Sequence, residues 1–222
     1  MKEIILDTET TGLSVKDGHR IVEIGCIELD NLVPTKNIFH CYLNPERKVS
    51  EKAFEVHGYS DQFLSNKKKF FEIADDFLNF IKDKKIIIHN AEFDISHLNN
   101  ELSIAGKPEI NKEHTVDTLD LARNKFPGSG ISLDALCKRF RIDNSKREKH
   151  TALIDCELLA KVYINLLDQK EPKLNFSNSV DINSIETQNK NITYSKKIVY
   201  PTSEELEQHR EFLKRDLKKN FY

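Results

Sequence analysis

The sequence predicts a mixed α/β fold, a sheet flanked by helices, and three observations carry that expectation. Three strand-like segments follow one another near the start. Strands then alternate with helical patterns. The short segment "KIIIH" is apolar on successive positions, as a strand covered on both faces must be.

Taken in order, residues 3–8 read as a first, buried strand. After a turn containing Gly and Lys, "RIVEIGCIELD" sets Ile21, Glu23, Gly25 and Ile27 on one side and Val22, Ile24, Cys26 and Glu28 on the other, the period of a second strand. A third covers about 36–43. In "FFEIADDFLNFI", Phe70, Ile73, Ala74, Phe77, Leu78 and Ile81 recur at the i, i+3, i+4 spacing of an amphipathic helix. "KIIIH" follows as a strand, and residues 94 to about 105 read as a helix. A short strand near 115–117 leads to helices near 119–125 and 132–140, and "TALIDCELLAKVYINLL" is the longest helical pattern.

With 222 residues, the chain has length for one substantial core plus extra segments. At 38% hydrophobic and 32% charged residues, it has the composition of a soluble globular protein. The net charge of −2 does not advertise a nucleic-acid binder, although a local basic face can coexist with an acidic site. Charges at Lys2, Glu3, Asp7 and Glu9 argue against a signal peptide, and no apolar run reaches spanning length, so a cytoplasmic location is expected. Cys26, Cys41, Cys137 and Cys156 are scattered without a CxxC pair and are expected to be free thiols.

The character changes near residue 169. Residues 175–197 are rich in Asn, Ser, Thr and Lys, and such a stretch buries too little to offset its ordering entropy. It reads as a flexible linker. Helical spacing returns at Leu206, Leu213 and Leu217, with Ser203 as N-cap and Lys218 and Lys219 near the C-terminal end. An isolated helix of that length is marginal in water and is expected to dock on something.

The chemistry starts at "IILDTETTGL". Strand periodicity puts Asp7 and Glu9 on one face and Thr8 on the other, so two like charges sit side by side without gain for stability. Asp94 follows a buried strand at a helix start. His150 stands at another helix start, with Asp155 five residues on. Four carboxylates at the ends of separate elements suit two hard divalent cations, Mg²⁺ or Mn²⁺, and a histidine titrating near neutrality suits a general base. Two such ions stabilise both the attacking and the leaving oxygen of an in-line phosphodiester displacement. Each residue alone reads more readily as a turn former, helix cap or surface group. It is the set, in this order, that points to catalysis.

"LDTETTGL", "HNAEFDISHLNNEL" and "HTALIDCELLA" resemble the three motifs of the DEDDh 3′→5′ exonucleases, and "NPERKVSEKAFEVHGYS" is similar to the segment between the first two. The resemblance covers roughly residues 1–168. It implies a ribonuclease-H-like fold, with a five-stranded mixed sheet flanked by helices. It also implies roles: Asp7 bridging two metal ions, Glu9 and Asp155 completing the tighter site, Asp94 acting on the second ion, and His150 as base. Matching positions in the family contact the terminal nucleotide, which makes Thr10, Gly12, Leu13, His57, Asn90 and Phe93 candidates for substrate binding. Leu13 and Phe93 read equally well as core residues.

The basic stretch with Lys138, Arg139, Arg141, Lys146, Arg147 and Lys149 reads either as a solvated loop or as a phosphate contact beside His150. The overall layout resembles the proofreading nucleases of bacterial replicative polymerases. That implies an exonuclease domain over 1–170, a linker over 171–200 and a helical segment over 201–222 that docks on the catalytic alpha subunit of polymerase III. "EPKLNF" is similar to a clamp-binding peptide through Leu174 and Phe176, with Glu171 where the pattern has Gln. The expected substrate is a single-stranded or frayed 3′ end of DNA. The rival readings are a free-standing DNA or RNA 3′ exonuclease and a non-catalytic replisome scaffold. A scaffold has no reason to keep a repulsive carboxylate cluster.

Overall fold

Strand β1 (Lys2–Thr10) sends Ile4 and Leu6 to one face of the sheet and Ile5 to the other, and each face has its own core. In the computed structural model, which describes residues 2–147, 149–168 and 200–216, the chain forms two units, one within 1–175 and one within 176–222. The first holds a five-stranded sheet of order β3-β2-β1-β4-β5, with β2 (Ile21–Asp30), β3 (Val33–Tyr42), β4 (Lys85–Ile88) and β5 (Thr115–Asp117). The β1–β2 and β2–β3 pairs are antiparallel, whereas β1–β4 and β4–β5 are parallel. This is the expected mixed sheet.

Helices cover both faces. Phe77 of α3 (Ala74–Ile81) and Ile95 and Leu98 of α4 (Ala91–Ile104) pack with Ile4, Leu6, Ile86 and Ile88. On the other face, Ala122 of α5 (Thr118–Lys125), Leu136 of α6 (Leu133–Phe140) and Cys156, Leu159 and Val162 of α7 (Ala152–Leu166) pack with Ile5, Ile27 and Ile87. Since β4 lies between two parallel neighbours and two helical layers, both of its faces must be apolar.

Several boundaries differ from the sequence reading. Helix α1 (Glu51–His57) and α2 (Asp61–Ser65) were not anticipated, being too short to show a period. Ser50 and Ser60 cap them, accepting from Ala53 N and Phe63 N at 3.2 Å each. Helix α4 starts at Ala91, earlier than residue 94. The Asp117 carboxylate, arriving from β5, accepts from Asn90 N and Ala91 N at 3.0 Å each and so caps α4 from outside its own segment. Residues 70–72 form a 3₁₀ turn before α3 rather than part of it.

All four cysteines are free, as expected. Among the described residues, no helix is long and apolar enough to cross a membrane. In the second unit, α8 spans Ser203–Asp216. Its cap is Thr202 rather than Ser203: Thr202 Oγ1 accepts from Glu205 N at 3.3 Å, and Glu205 Oε2 accepts from Thr202 N at 2.7 Å, a reciprocal capping box. The linker, Leu217, Lys218, Lys219 and the Glu171, Leu174 and Phe176 peptide lie outside the described residues.

Candidate active site

Asp7 and Glu9 leave β1 on the face of Ile5, toward α7, where Asp155 occupies the first turn. Gly25 on β2 allows that helix to come close. A Cβ there would lie 2.7 Å from the Ala152 carbonyl carbon and 2.8 Å from Leu153 N. Asp94 enters from α4 on the opposite face and is 3% exposed. Its Oδ1 accepts from Thr8 N at 3.0 Å and from Thr8 Oγ1 at 2.7 Å. Thr8, the residue that alternation turns away from Asp7 and Glu9, is therefore the grip that holds the next carboxylate.

His150 lies in the loop before α7, not at its start. Thr151 is the N-cap, and His150 N donates to Val56 O of α1 at 3.1 Å. Side-chain ligand atoms of Glu9, His150 and Asp155 all lie within 4.8 Å of one another.

Burial dominates the electrostatics. Desolvation, followed by repulsion from Asp94, Glu9 and Asp155, raises the Asp7 carboxyl well above the usual carboxylate range. Glu9 is pushed up to about 8 by desolvation and then by Asp155, Glu23 and Asp94, with Arg147 opposing. Desolvation brings Asp94 to about 7, against the pull of the Thr8 hydrogen bonds. Carboxylates that hold protons near neutrality for want of positive charge are the oxygen donor set of a hard divalent cation. The residues fit such an ion.

Arg147 is the cation the site does contain. The sequence reading left it in a solvated loop or against phosphate, but its side chain is 8% exposed and turned inward. Nε donates to Asp155 Oδ1 at 2.6 Å and Nη2 to Asp155 Oδ2 at 2.7 Å, while Nη1 reaches Asp134 Oδ2 at 2.7 Å. Nη2 also lies 2.9 Å from His150 Nδ1. A guanidinium only donates, so Nδ1 accepts and the neutral ring carries its proton on Nε2. Burial first, then Arg147, lowers the His150 pKa, with Asp155 and Asp134 opposing. Lys138, Arg139, Arg141, Lys146 and Lys149 are exposed.

Beside Glu9 opens a cavity of about 490 Å³ lined by Thr10, Gly12, Leu13, His57 and Phe93, among others. Leu13 stands at 82% exposure, which excludes the core reading for it, whereas Phe93 is half-buried and packs 4.6 Å from the His97 ring. The Thr10 hydroxyl is committed internally, donating to Gly12 O at 2.7 Å. A Cβ at Gly12 would lie 2.3 Å from the His19 ring, which would have to turn aside to admit it. His57 ends α1, and Gly58 at φ 79° closes that helix. Asn90 is exposed at the N-cap of α4 and is not part of the lining.

Sequence reasoning named Arg147 only as a loop residue or phosphate contact, and it missed the parts played by Thr8 and Glu23. Of those two, Glu23 left a signal, a charged residue within the apolar alternation of β2.

A family profile described as Exonuclease, RNase_T, matches residues 4–163. The DNA polymerase III subunit epsilon of Rickettsia conorii is 50% identical over 224 residues, covering 98% of this chain and 97% of that protein. The subunit of the same name from Escherichia coli K12 is 47% identical over 171 residues, covering 73% and 70%. Among solved structures, exonuclease X in complex with 5′-overhanging duplex DNA superposes with a TM-score of 0.58 at 26% identity, over 75% of this chain and 92% of that one. The nuclease domain of 3′hExo, a DEDDh family member bound to rAMP, gives 0.66 at 17% identity over 76% and 92%, a likeness of fold.

Proposed function

The chain belongs to the exonuclease family and is a phosphodiester-hydrolysing 3′→5′ exonuclease of the epsilon type, and from that premise we propose how its residues share the work. The observation that carries the reading is the grouping of Glu9, His150 and Asp155 within 4.8 Å, with Asp7 close enough to be repelled by Glu9, Asp94 and Asp155, and with Glu9 lining a cavity.

Asp7, Glu9, Asp94 and Asp155 hold two divalent ions, Mg²⁺ or Mn²⁺. When bound, such ions polarise the phosphate and acidify the attacking water. Thr8 keeps Asp94 aimed at the site through its two hydrogen bonds. His150 takes the proton of the attacking water on a ring nitrogen, and its partial burial favours the neutral ring that this needs. Arg147 must first turn away, because in its present place it fills both Asp155 oxygens and the His150 Nδ1 lone pair.

The cavity receives the terminal nucleotide. Leu13 and Phe93 pack on the base, a contact every base can make, and His57 and the Gly12 backbone flank the sugar. No groove-reading element is needed, because a mismatched primer end frays and presents the single strand itself.

The substrate is DNA at a polymerase primer end, and residues 201–222 dock on the polymerase alpha subunit. Leu206 at 45% and Phe212 at 52% exposure give α8 apolar surface for such a contact. A clamp contact through Glu171, Leu174 and Phe176 is a further part of the proposal. A tether of this kind holds the nuclease at high effective concentration near the primer terminus.

The test is excision of a mismatched 3′ primer end by full-length protein and by residues 1–170, with co-elution of the polymerase subunit. Both forms are expected to release mononucleotides, and chelation is expected to abolish that release. Only the full chain is expected to co-elute. Metal-independent turnover would sink the mechanism, and co-elution of the short form would sink the role given to 201–222.

A further inference from the structure

Glu23 takes no part in the chemistry above, yet it is fully buried on β2, in register with Glu9 across the β1–β2 pair. A buried carboxylate is costly unless its lone pairs are filled. Here they are. Oε1 lies 2.7 Å from His40 Nε2 on β3. Oε2 accepts from the Tyr59 hydroxyl at 2.8 Å and from Ala152 N at 2.9 Å.

These partners serve different halves of the site. Ala152 is the first residue of α7, where backbone N–H groups lack intrahelical acceptors and the helix dipole favours negative charge. Asp155 follows three residues later in the same turn. Tyr59 follows the glycine that ends α1. Its N–H donates to His57 Nδ1 at 3.0 Å, and its ring stacks on the His57 ring at 4.8 Å with 22° between planes. His57 in turn lines the cavity.

We infer that Glu23 is a positioning residue that joins the His57–Tyr59 wall of the nucleotide cavity to the α7 turn carrying Asp155. One carboxylate thereby sets the distance between the nucleotide side and the metal side. A second strap runs in parallel, His150 N to Val56 O at 3.1 Å and Lys149 Nζ to Glu55 O at 2.6 Å, so loss of Glu23 loosens the junction without dissolving it. The inference rests on the exonuclease reading for its nucleotide half only.

The experiment compares Glu23→Ala, Glu23→Gln and Tyr59→Phe with wild type in the full chain. Mn²⁺ affinity is read by the electron paramagnetic resonance of free ion, and KM and kcat on a single-stranded oligonucleotide. Tyr59→Phe is expected to raise KM several-fold and leave Mn²⁺ affinity alone. Glu23→Ala is expected to weaken Mn²⁺ binding about tenfold, as loss of a group supporting a metal ligand does, and to raise KM as well. Glu23→Gln keeps an acceptor for Ala152 N and is expected to recover most of the Mn²⁺ affinity.

Lowered thermal stability with KM and Mn²⁺ affinity both at wild-type values would overturn the inference. If Glu23→Ala does not fold, an unchanged KM in Tyr59→Phe overturns it by itself. Wild type that binds Mn²⁺ but releases no mononucleotide would instead refute the exonuclease reading, and the Mn²⁺ comparison would still decide the Asp155 half.

Discussion

Strands β1 and β2 carry buried carboxylates at both ends, and the two ends treat them in opposite ways. At one end, Glu28 is 2% exposed and meets Lys84 Nζ at 2.8 Å and Lys2 Nζ at 3.2 Å. The Lys84 ammonium, against desolvation and with help from Lys2, draws its pKa down to about 2. At the other end, Asp7, Glu9 and Asp94 are all raised, with Arg147 opposing the rise at Glu9. All four are buried or half-buried carboxylates, and Asp7, Glu9 and Glu28 sit on the same pair of strands while Asp94 reaches them from α4. The difference is how much fixed positive charge the fold supplies: two lysines face the single Glu28 carboxylate, whereas Arg147 alone is paired within the acidic cluster, on Asp155, and leaves Asp7, Glu9 and Asp94 uncompensated among the described residues.

The largest effect expected from breaking this contrast is Asp7→Asn. Turnover should fall to background, while the melting temperature of metal-free protein should rise, because a desolvated, repelled charge is gone. A fall in melting temperature would mean that the cluster is structural after all. His150→Ala should cost about 10² to 10⁴ in kcat with little change in Mn²⁺ affinity, as removal of a general base does.

Glu28→Gln should do the reverse of Asp7→Asn. It should destabilise by about 2 kcal/mol in urea titration, because two lysines lose a charged acceptor, with kcat unchanged.

The pH dependence of metal-free stability separates the two ends. The folded-state values of Glu9, about 8, and Asp94, about 7, lie above the ordinary 4.5 and 3.8, so their contribution is present at low pH and lost as pH rises through about 7 to 8. Glu28 behaves inversely: its contribution is present above the ordinary 4.5 and lost as pH falls toward about 2. Thermal melts in chelator should decline on both sides, and saturating Mn²⁺ should remove only the alkaline decline. An alkaline decline that persists in Mn²⁺ would separate the raised carboxylates from the metal site.

The smallest effect is expected at Arg147. Arg147→Gln should tighten Mn²⁺ binding several-fold by freeing the Asp155 oxygens, at some cost to metal-free stability, and calorimetry would read both. Weaker binding would make Arg147 a support of the site rather than a competitor of the ion.

Strand periods, helix faces and the identity of the acidic residues were legible in the sequence. Alternation places Asp7 and Glu9 on one face, and spacing alone groups Phe77 and Ile81 or Leu159 and Val162, because these patterns depend on the chain's own geometry. The motif set also specified the exonuclease family before any contact was known. Tertiary structure alone decided which partners the polar groups found. The start of α4 depends on Asp117 from another strand, the aim of Asp94 on Thr8, the inward turn of Arg147 on Asp134 and Asp155, and the setting of α7 on Gly25 and Glu23. Local propensity has no knowledge of these partners, because a buried donor or acceptor is satisfied by whatever the fold brings within about 3 Å, from any distance along the chain.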